Sequence, residues 1–426
     1  MERSDPRYQA YVGILKEELI PAMGCTEPIA LAYAAAKARE VLGVLPDSVQ
    51  LQVSGSIIKN VKSVIVPNTG HLKGMEAAVA AGIIAGSAEK ELEVISEVSE
   101  EKKSAIRDYL QTVPITIEHT EQGHVFDIVV TERCGQDYAR VRIADYHTNI
   151  CRIEKNGTVL YEVPLLDETV QEDARADRSL LNMQDIWDFA ETADLRDVAD
   201  LLERQIRYNN AIAEEGLLGD YGANIGRVLL TTYGNDVSNR AKAKAAAGSD
   251  ARMNGCELPV IINSGSGNQG ITCSVPLIEY AKELHSGKEK LYRALIISNL
   301  VAIHEKTGIG TLSAYCGAVS AGAGAGAGIV YLCGDGYQAA IHTVVNALAI
   351  VSGIVCDGAK ASCAAKIASS VDAALLGYNM YKCNQEFKGG DGIVMKDIET
   401  TIKGIGRLGK DGMRQTNEEI IRLMMS

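Results

Sequence analysis

Apolar positions recur at helical spacing over residues 8–22, and again along the Ala-rich run TEPIALAYAAAKAREVL to about residue 41. Thr26 stands where a cap is expected and Pro28 falls in the first turn of this second helix. The period then shortens. VQLQVSGS, SVIVP, VPITIEH, HVFDIVVTE, YARVRIAD and TVLYEVP read as strands. GMEAAVAAGIIAG and SEEKKSAIRDYL, lying between them, read as helices. This order predicts a small α+β domain over 46–165, a mixed antiparallel sheet with helices on one face. An acidic polar stretch places a linker at 166–174. LNMQDIWDFAETA and DVADLLERQIRYNNAIAEEGL then restore the helical period, which continues to about residue 405 with Gly-rich breaks. The expected fold class is α+β: a large, mainly α-helical domain from residues 1–45 and 175–426, with the small α+β domain inserted.

Composition refines this picture. Aromatics make up only 5% of the 426 residues, so Ala, Val, Ile and Leu must fill the core, with Gly allowing close helix contacts. The net charge of −13 argues against a nucleic-acid partner. The N-terminus opens with charges and lacks an apolar signal core, which points to the cytoplasm. There, ten cysteines without a CxxC pair are not expected to form a disulfide framework. Residues 307–334 and 336–356 carry no Asp, Glu, Lys or Arg. The first stretch is mostly Gly, Ala, Ser and Thr and has no flanking anchors, so buried helices are expected there and not a membrane span. Such Ala/Gly-rich helices can also bury a subunit interface, which suggests a homodimer.

Three cysteines differ from the rest in their surroundings. Cys316, Cys356 and Cys363 lie in Gly/Ser/Ala-rich turns, where backbone N–H groups can approach sulfur. Soft thiolates in such turns suit an iron–sulfur cluster, although a small buried hydrophobe is the plainer use of a cysteine. Cys256, Cys273 and Cys333 are assigned to that plainer use. The loop NSGSGNQG follows the apolar run ELPVII and forms a nest for a carboxylate or phosphate from Ser264, Ser266, Gly267 and Asn268, with Gln269 beside them. It contains neither the GxGxxG of a dinucleotide site nor the closing Gly-Lys-Ser/Thr of a P-loop. In VPNTGHLKG, Asn68 and Thr69 can cap the following helix, whose N-terminus favours an anion, and with Gly70 and His71 they are candidates to face the substrate cleft. Cys25 begins a helix whose N-terminus favours a thiolate, a candidate base with which Glu27 competes. Lys59 and Asn60 are candidate substrate contacts, and His304, next to Glu305 and Lys306, is a further candidate.

The motifs GCTEPIA (24–30), SGSIIKN (54–60), VPNTG (66–70), NGCELPVIINSGSGNQG (254–270), AYCGAVSAG (314–322) and CDGAKASC (356–363) occur in one order across the chain. With them the sequence resembles the L-cysteine desulfidase family, itself related to the alpha portion of bacterial iron–sulfur L-serine dehydratases. The resemblance implies that Cys316, Cys356 and Cys363 hold a 4Fe–4S cluster with one open iron, and that Cys25 is the general base. It implies a lyase that takes a small amino acid through α,β-elimination, L-cysteine giving hydrogen sulfide, pyruvate and ammonia. L-Serine is the rival substrate, and the short spacing in CDGAKASC resembles the desulfidases more closely. Two other readings stand beside this one. In the first, a pyridoxal phosphate enzyme would use Lys59 for the Schiff base and the Ser/Gly loop for the phosphate. In the second, the chain is a non-enzymatic iron–sulfur sensor.

Overall fold

A computed structural model describes residues 1–120, 124–165, 176–310 and 312–425; the expected linker at 166–174 lies outside these residues. The first helix, Pro6–Glu18, starts at Asp5, whose carboxylate accepts the Arg7 backbone N–H. The second, Thr26–Leu42, ends at Gly43, which has a left-handed φ of 86°. Eight strands occur among the described residues: β1 (Pro21–Met23), β2 (Ser48–Ser54), β3 (Ile115–Thr120), β4 (Asp127–Cys134), β5 (Asp137–Ala144), β6 (Ile150–Lys155), β7 (Thr158–Glu162) and β8 (Pro259–Ile261). Strands β2 to β7 form one mixed sheet in the order β3-β2-β4-β5-β6-β7, in which only the β2–β3 pair is parallel. Buried positions alternate along β5, β4 is buried on both faces over most of Asp127–Glu132, and the helix Thr26–Leu42 packs on these strands. The fold is thus the expected mainly α-helical body carrying a small α+β insertion.

Two segments differ from their strand readings. The strand read in VQLQVSGS ends at Ser54, and its last two residues, Gly55 and Ser56, instead begin a buried helix, Gly55–Val61. SVIVP makes only an isolated bridge, Ile65 to Lys73. Val64 and Val66 point inward on either side of that bridge, so the run fills core without joining a ladder.

The Ala/Gly-rich stretch forms the middle of the helical body. Gly317–Cys333 is a helix packed among Gly267–Glu283, Lys288–Ile309, Tyr337–Val351 and Ser362–Lys382. Its small side chains set the distance to these neighbours: a Cβ on Gly324 would stand 2.4 Å from the Ser298 carbonyl oxygen. Residues Ala318–Val330 are all buried. No helix among the described residues is long and apolar enough to cross a membrane.

The short strand β1 pairs antiparallel with β8. This two-stranded ribbon brings the start of the second helix beside the loop after β8, although more than 230 residues separate them in the chain.

Candidate active site

One wall of a cavity carries three thiols. The chain leaves Cys316 into the central helix, returns along Tyr337–Val351, and closes with an antiparallel bridge between Tyr315 and Val355. The Cys316 N–H donates to Ile354 O at 3.2 Å and the Cys356 N–H to Ala314 O at 2.6 Å. Gly358 turns the chain with a φ of 93°, and Cys363 follows in the first turn of the helix Ser362–Lys382. Lys366 ties that helix to the turn by donating to Val355 O at 2.9 Å and to the Asp357 carboxylate.

All three thiols face the same cavity. Burial, then the neighbouring Cys356, pushes the Cys316 thiol up to about 12, and burial also raises Cys363. Among the described residues no group of three or more His, Cys, Asp or Glu side chains is placed to share a single metal ion. Thiols spread around a cavity suit a polynuclear cluster, in which each sulfur meets a different iron. Lys306 and Lys366 stand within electrostatic reach of these sulfurs, and such cations would offset the charge of three thiolates. The donor set therefore fits the cluster that the resemblance implies.

The facing wall comes from the β1–β8 ribbon. After β8 the backbone folds back between Asn263 and Ser266, with Ser264 at a left-handed φ of 48°, and enters the helix Gly267–Glu283. Ser264, Ser266 and Asn268 line the cavity, whereas Gly267 lies behind them against Arg252. The Gln269 amide rests on Gly317, beside Cys316, and so joins the two walls.

Cys25 occupies the cap position of the second helix without capping it. Its thiol donates to Glu27 Oε2 at 2.9 Å. Thr26, expected as the cap, instead donates to Gly265 O at 3.0 Å and fastens the helix start to the loop. Glu27 Oε1 accepts from Asn60 Nδ2 at 3.0 Å. His147 Nε2 lies 3.9 Å from the same oxygen, an electrostatic contact too long for a hydrogen bond. Burial opposes the Glu27 charge, yet His147 and the Cys25 thiol hold this carboxyl down at about 2. The helix N-terminus does not leave Cys25 a free thiolate: burial, then Glu27, pushes the thiol well above its ordinary value.

Lys59 is buried on the cavity wall, where it donates to Asn417 Oδ1 at 2.7 Å and to Cys356 O at 3.4 Å. Burial lowers its pKa. Its helix also supports the cysteine turn, since Gly358 sits directly on the Lys59 carbonyl.

Cys25, Lys59, Asn60, Ser264, Ser266, Asn268, Cys316, Cys356 and Cys363 thus share one cavity. Asn68 and Thr69 do not line it. Asn68 donates to Ile95 O at 2.8 Å and Thr69 to Val66 O at 2.7 Å; neither caps the next helix, which starts after Lys73. His71 is exposed, and His304 pairs with Glu399 at 2.8 Å outside the cavity. Cys256 and Cys273 are buried as expected, but Cys333 is exposed at the end of its helix. Two cavity residues had no sequence signal, His147 and Arg252. His147 lies in a turn between strands, and Arg252 ends a helix, where a basic side chain reads as solvated and favoured by the dipole.

The family model described as the serine dehydratase alpha chain matches residues 89–422. A UPF0597 protein of Desulfitobacterium hafniense (strain Y51) is 61% identical over 100% of this chain and 99% of its own length. The chain belongs to the UPF0597 family. Two further UPF0597 proteins are similar over nearly their whole lengths. That of Lachnoclostridium phytofermentans is 52% identical over 98% of this chain and 100% of its own. That of Treponema denticola is 46% identical over 100% of both. In this UPF0597 chain the dehydratase match takes in the loop after β8 and all three cavity thiols of the first wall. Cys25, Glu27, Lys59 and Asn60 precede the matched residues.

Proposed function

We propose that this UPF0597 protein is an iron–sulfur-dependent lyase that converts L-cysteine to hydrogen sulfide, pyruvate and ammonia. One observation carries the reading: Cys316, Cys356 and Cys363 face the same cavity as the Cys25–Glu27 pair and the Ser/Gly loop. A 4Fe–4S cluster held by three thiolates supplies, when bound, an open iron that acts as a Lewis acid toward a carboxylate or a leaving group.

The chain's own residues supply binding and proton transfer. Ser264, Ser266 and Asn268 hold the substrate carboxylate at the helix N-terminus. Cys25, as the thiolate, takes the α-proton of the amino acid and becomes the thiol, which Glu27 Oε2 orients by accepting its hydrogen bond at 2.9 Å. The electron pair of the Cα–H bond forms the Cα–Cβ double bond, and hydrosulfide leaves Cβ with the electrons of the C–S bond. Aminoacrylate is released, tautomerises to the imine, and is hydrolysed by water to pyruvate and ammonia. Hydrosulfide leaves more readily than hydroxide, so the same machinery meets a lower demand with cysteine than with serine. The pyridoxal phosphate reading gains no support from the fold. The Lys59 amine is engaged by Asn417 and by the Cys356 carbonyl, and the thiols would be left without a role.

An anaerobic assay of iron-loaded protein with L-cysteine and L-serine, following sulfide and pyruvate together, tests this function. Equimolar sulfide and pyruvate from cysteine are expected. Pyruvate from serine without sulfide from cysteine would reassign the substrate, and no product from either would leave the sensor reading.

A further inference from the structure

Arg252 is 2% exposed, yet it lines the cavity. Its Nη1 donates to Asn268 Oδ1 at 3.1 Å and approaches the Met253 sulfur at 4.0 Å, while Nε has no partner. Among the described residues no carboxylate pairs with this guanidinium. Cys25, Glu27 and Cys363 lie within electrostatic reach, but none of them bonds to it: Glu27 directs its oxygens to Cys25, Thr26 and Asn60 instead. A buried guanidinium without a counter-ion is costly, and the cost is removed when an anion enters the cavity. Its planar fork matches a carboxylate.

The loop is shaped around this side chain. A Cβ on Gly267 would stand 2.2 Å from Arg252 Nε and 2.8 Å from Cζ. Glycine at this position therefore lets the guanidinium lie against the first residue of the helix Gly267–Glu283, and Asn268, one residue on, holds its other end. A ligand carboxylate in front of the loop meets the guanidinium and the helix N-terminus together.

We propose that Arg252 is the residue that binds the α-carboxylate of the amino-acid substrate and makes that carboxylate a requirement for binding. The proposal rests on the small-amino-acid reading above and adds the anchor and the selectivity. Glu27, close by with its charge retained, faces the ammonium end. The site then selects a zwitterion: an amine without a carboxylate leaves Arg252 buried and unpaired, and is rejected for that reason.

L-Alanine has no β-leaving group and binds without turnover, and L-alaninamide lacks the carboxylate charge. Calorimetric titration of both into anaerobic, iron-loaded protein tests the proposal. The wild type should prefer L-alanine by about 100-fold, the scale of a buried charge pair losing one partner. Arg252→Gln should bind the two equally weakly, and Arg252→Lys should recover part of the preference. Gly267→Ala, which displaces the guanidinium without removing it, should also lose preference and guards against an Arg252→Gln protein that fails to fold. A preference that survives in Arg252→Gln or in Gly267→Ala, or its absence from the wild type, overturns the assignment. Pyruvate release from L-cysteine by the wild type separates the two claims. If pyruvate forms while Arg252→Gln keeps the preference, elimination stands and the anchor falls. If no pyruvate forms from cysteine or serine while the preference depends on Arg252, the anchor stands and elimination falls.

Discussion

Replacing Gly358 by alanine should weaken iron retention without touching a thiol. A Cβ there would lie 2.1 Å from the Lys59 carbonyl oxygen and 3.0 Å from its carbon. Ordinary contact begins near 3.4 Å, so the turn or the helix Gly55–Val61 must move by about 1.3 Å. That helix is buried along its whole length and follows directly on β2, so the turn carrying Cys356 is the part that yields. The φ of 93° adds backbone strain of about 1–2 kcal/mol for an L-residue. Overpacking against backbone adds about 1–3 kcal/mol. The sum is a fraction of the roughly 5–15 kcal/mol that a folded domain commands, so the chain still folds. The site does not survive as well, because a ligand displaced on the ångström scale lowers metal affinity by roughly 10–100-fold, as loss of a supporting contact does. Anaerobic reconstitution followed by iron and sulfide analysis measures this, with circular dichroism and a thermal melt as the folding control. A Gly358→Ala protein with full iron content and the wild-type melting temperature would refute the argument.

Cys25→Ala should keep its iron and lose about 10²–10⁴-fold in pyruvate formation, read in a single-turnover assay; an unchanged rate would move the base to Glu27. Glu27 is held at about 2 in the fold against 4.5 when free, so its contribution is present above pH 4.5 and lost as pH falls toward 2. Glu27→Gln should flatten the acid limb of stability in that window, measured by melts at stepped pH. Glu132 is fully buried with neither oxygen bonded, and burial raises its pKa. Here the sign is opposite: the penalty is absent at acid pH and grows as pH rises above 4.5, the free value. Glu132→Gln should therefore melt higher than wild type at neutral pH, by about 1–3 kcal/mol of stability, with the gain vanishing in acid.

How far the sequence could be read depended on whether a segment's own residues decide its structure. Thr26–Leu42 and Gly74–Ala85 have strong helix formers and clear ends, and both fall where expected. Gly55–Val61 is buried on every side, Ser56, Lys59 and Asn60 included, so no wet face marks a period of 3.6, and its first two residues read as the end of the strand before it. β6 was missed because ICRIEK is short and half charged; its partners in β5 and β7 make it a strand. β1 and β8 have three residues each and exist only because they pair. The thiols and the Ser/Gly loop were legible as chemistry because Cys in Gly-rich turns and a strand–loop–helix junction are local patterns. Arg252 and His147 were not, since a buried charge at a helix end and a histidine in a turn acquire meaning only when distant segments surround them. Asn68 and Thr69 looked like a cap, but their bonds go to Ile95 and Val66, which no local pattern connects to a helix start.

The bridge between Tyr315 and Val355 gives the interval between Cys316 and Cys356 a geometric meaning. The intervening residues run out along Gly317–Cys333 and back along Tyr337–Val351, so the interval is the length of a round trip. Its far end, at residues 334–336, is remote from the cavity. A whole turn of about 3.6 residues removed from both legs would shorten the trip and return the chain to the same clasp. The same number of residues taken from one leg alone would leave the two legs mismatched by about 5.4 Å along their length and pull the clasp out of register. Natural variation in this interval should therefore come in paired turns, and the number of residues between the two cysteines is a poor guide to whether a chain keeps the pair together.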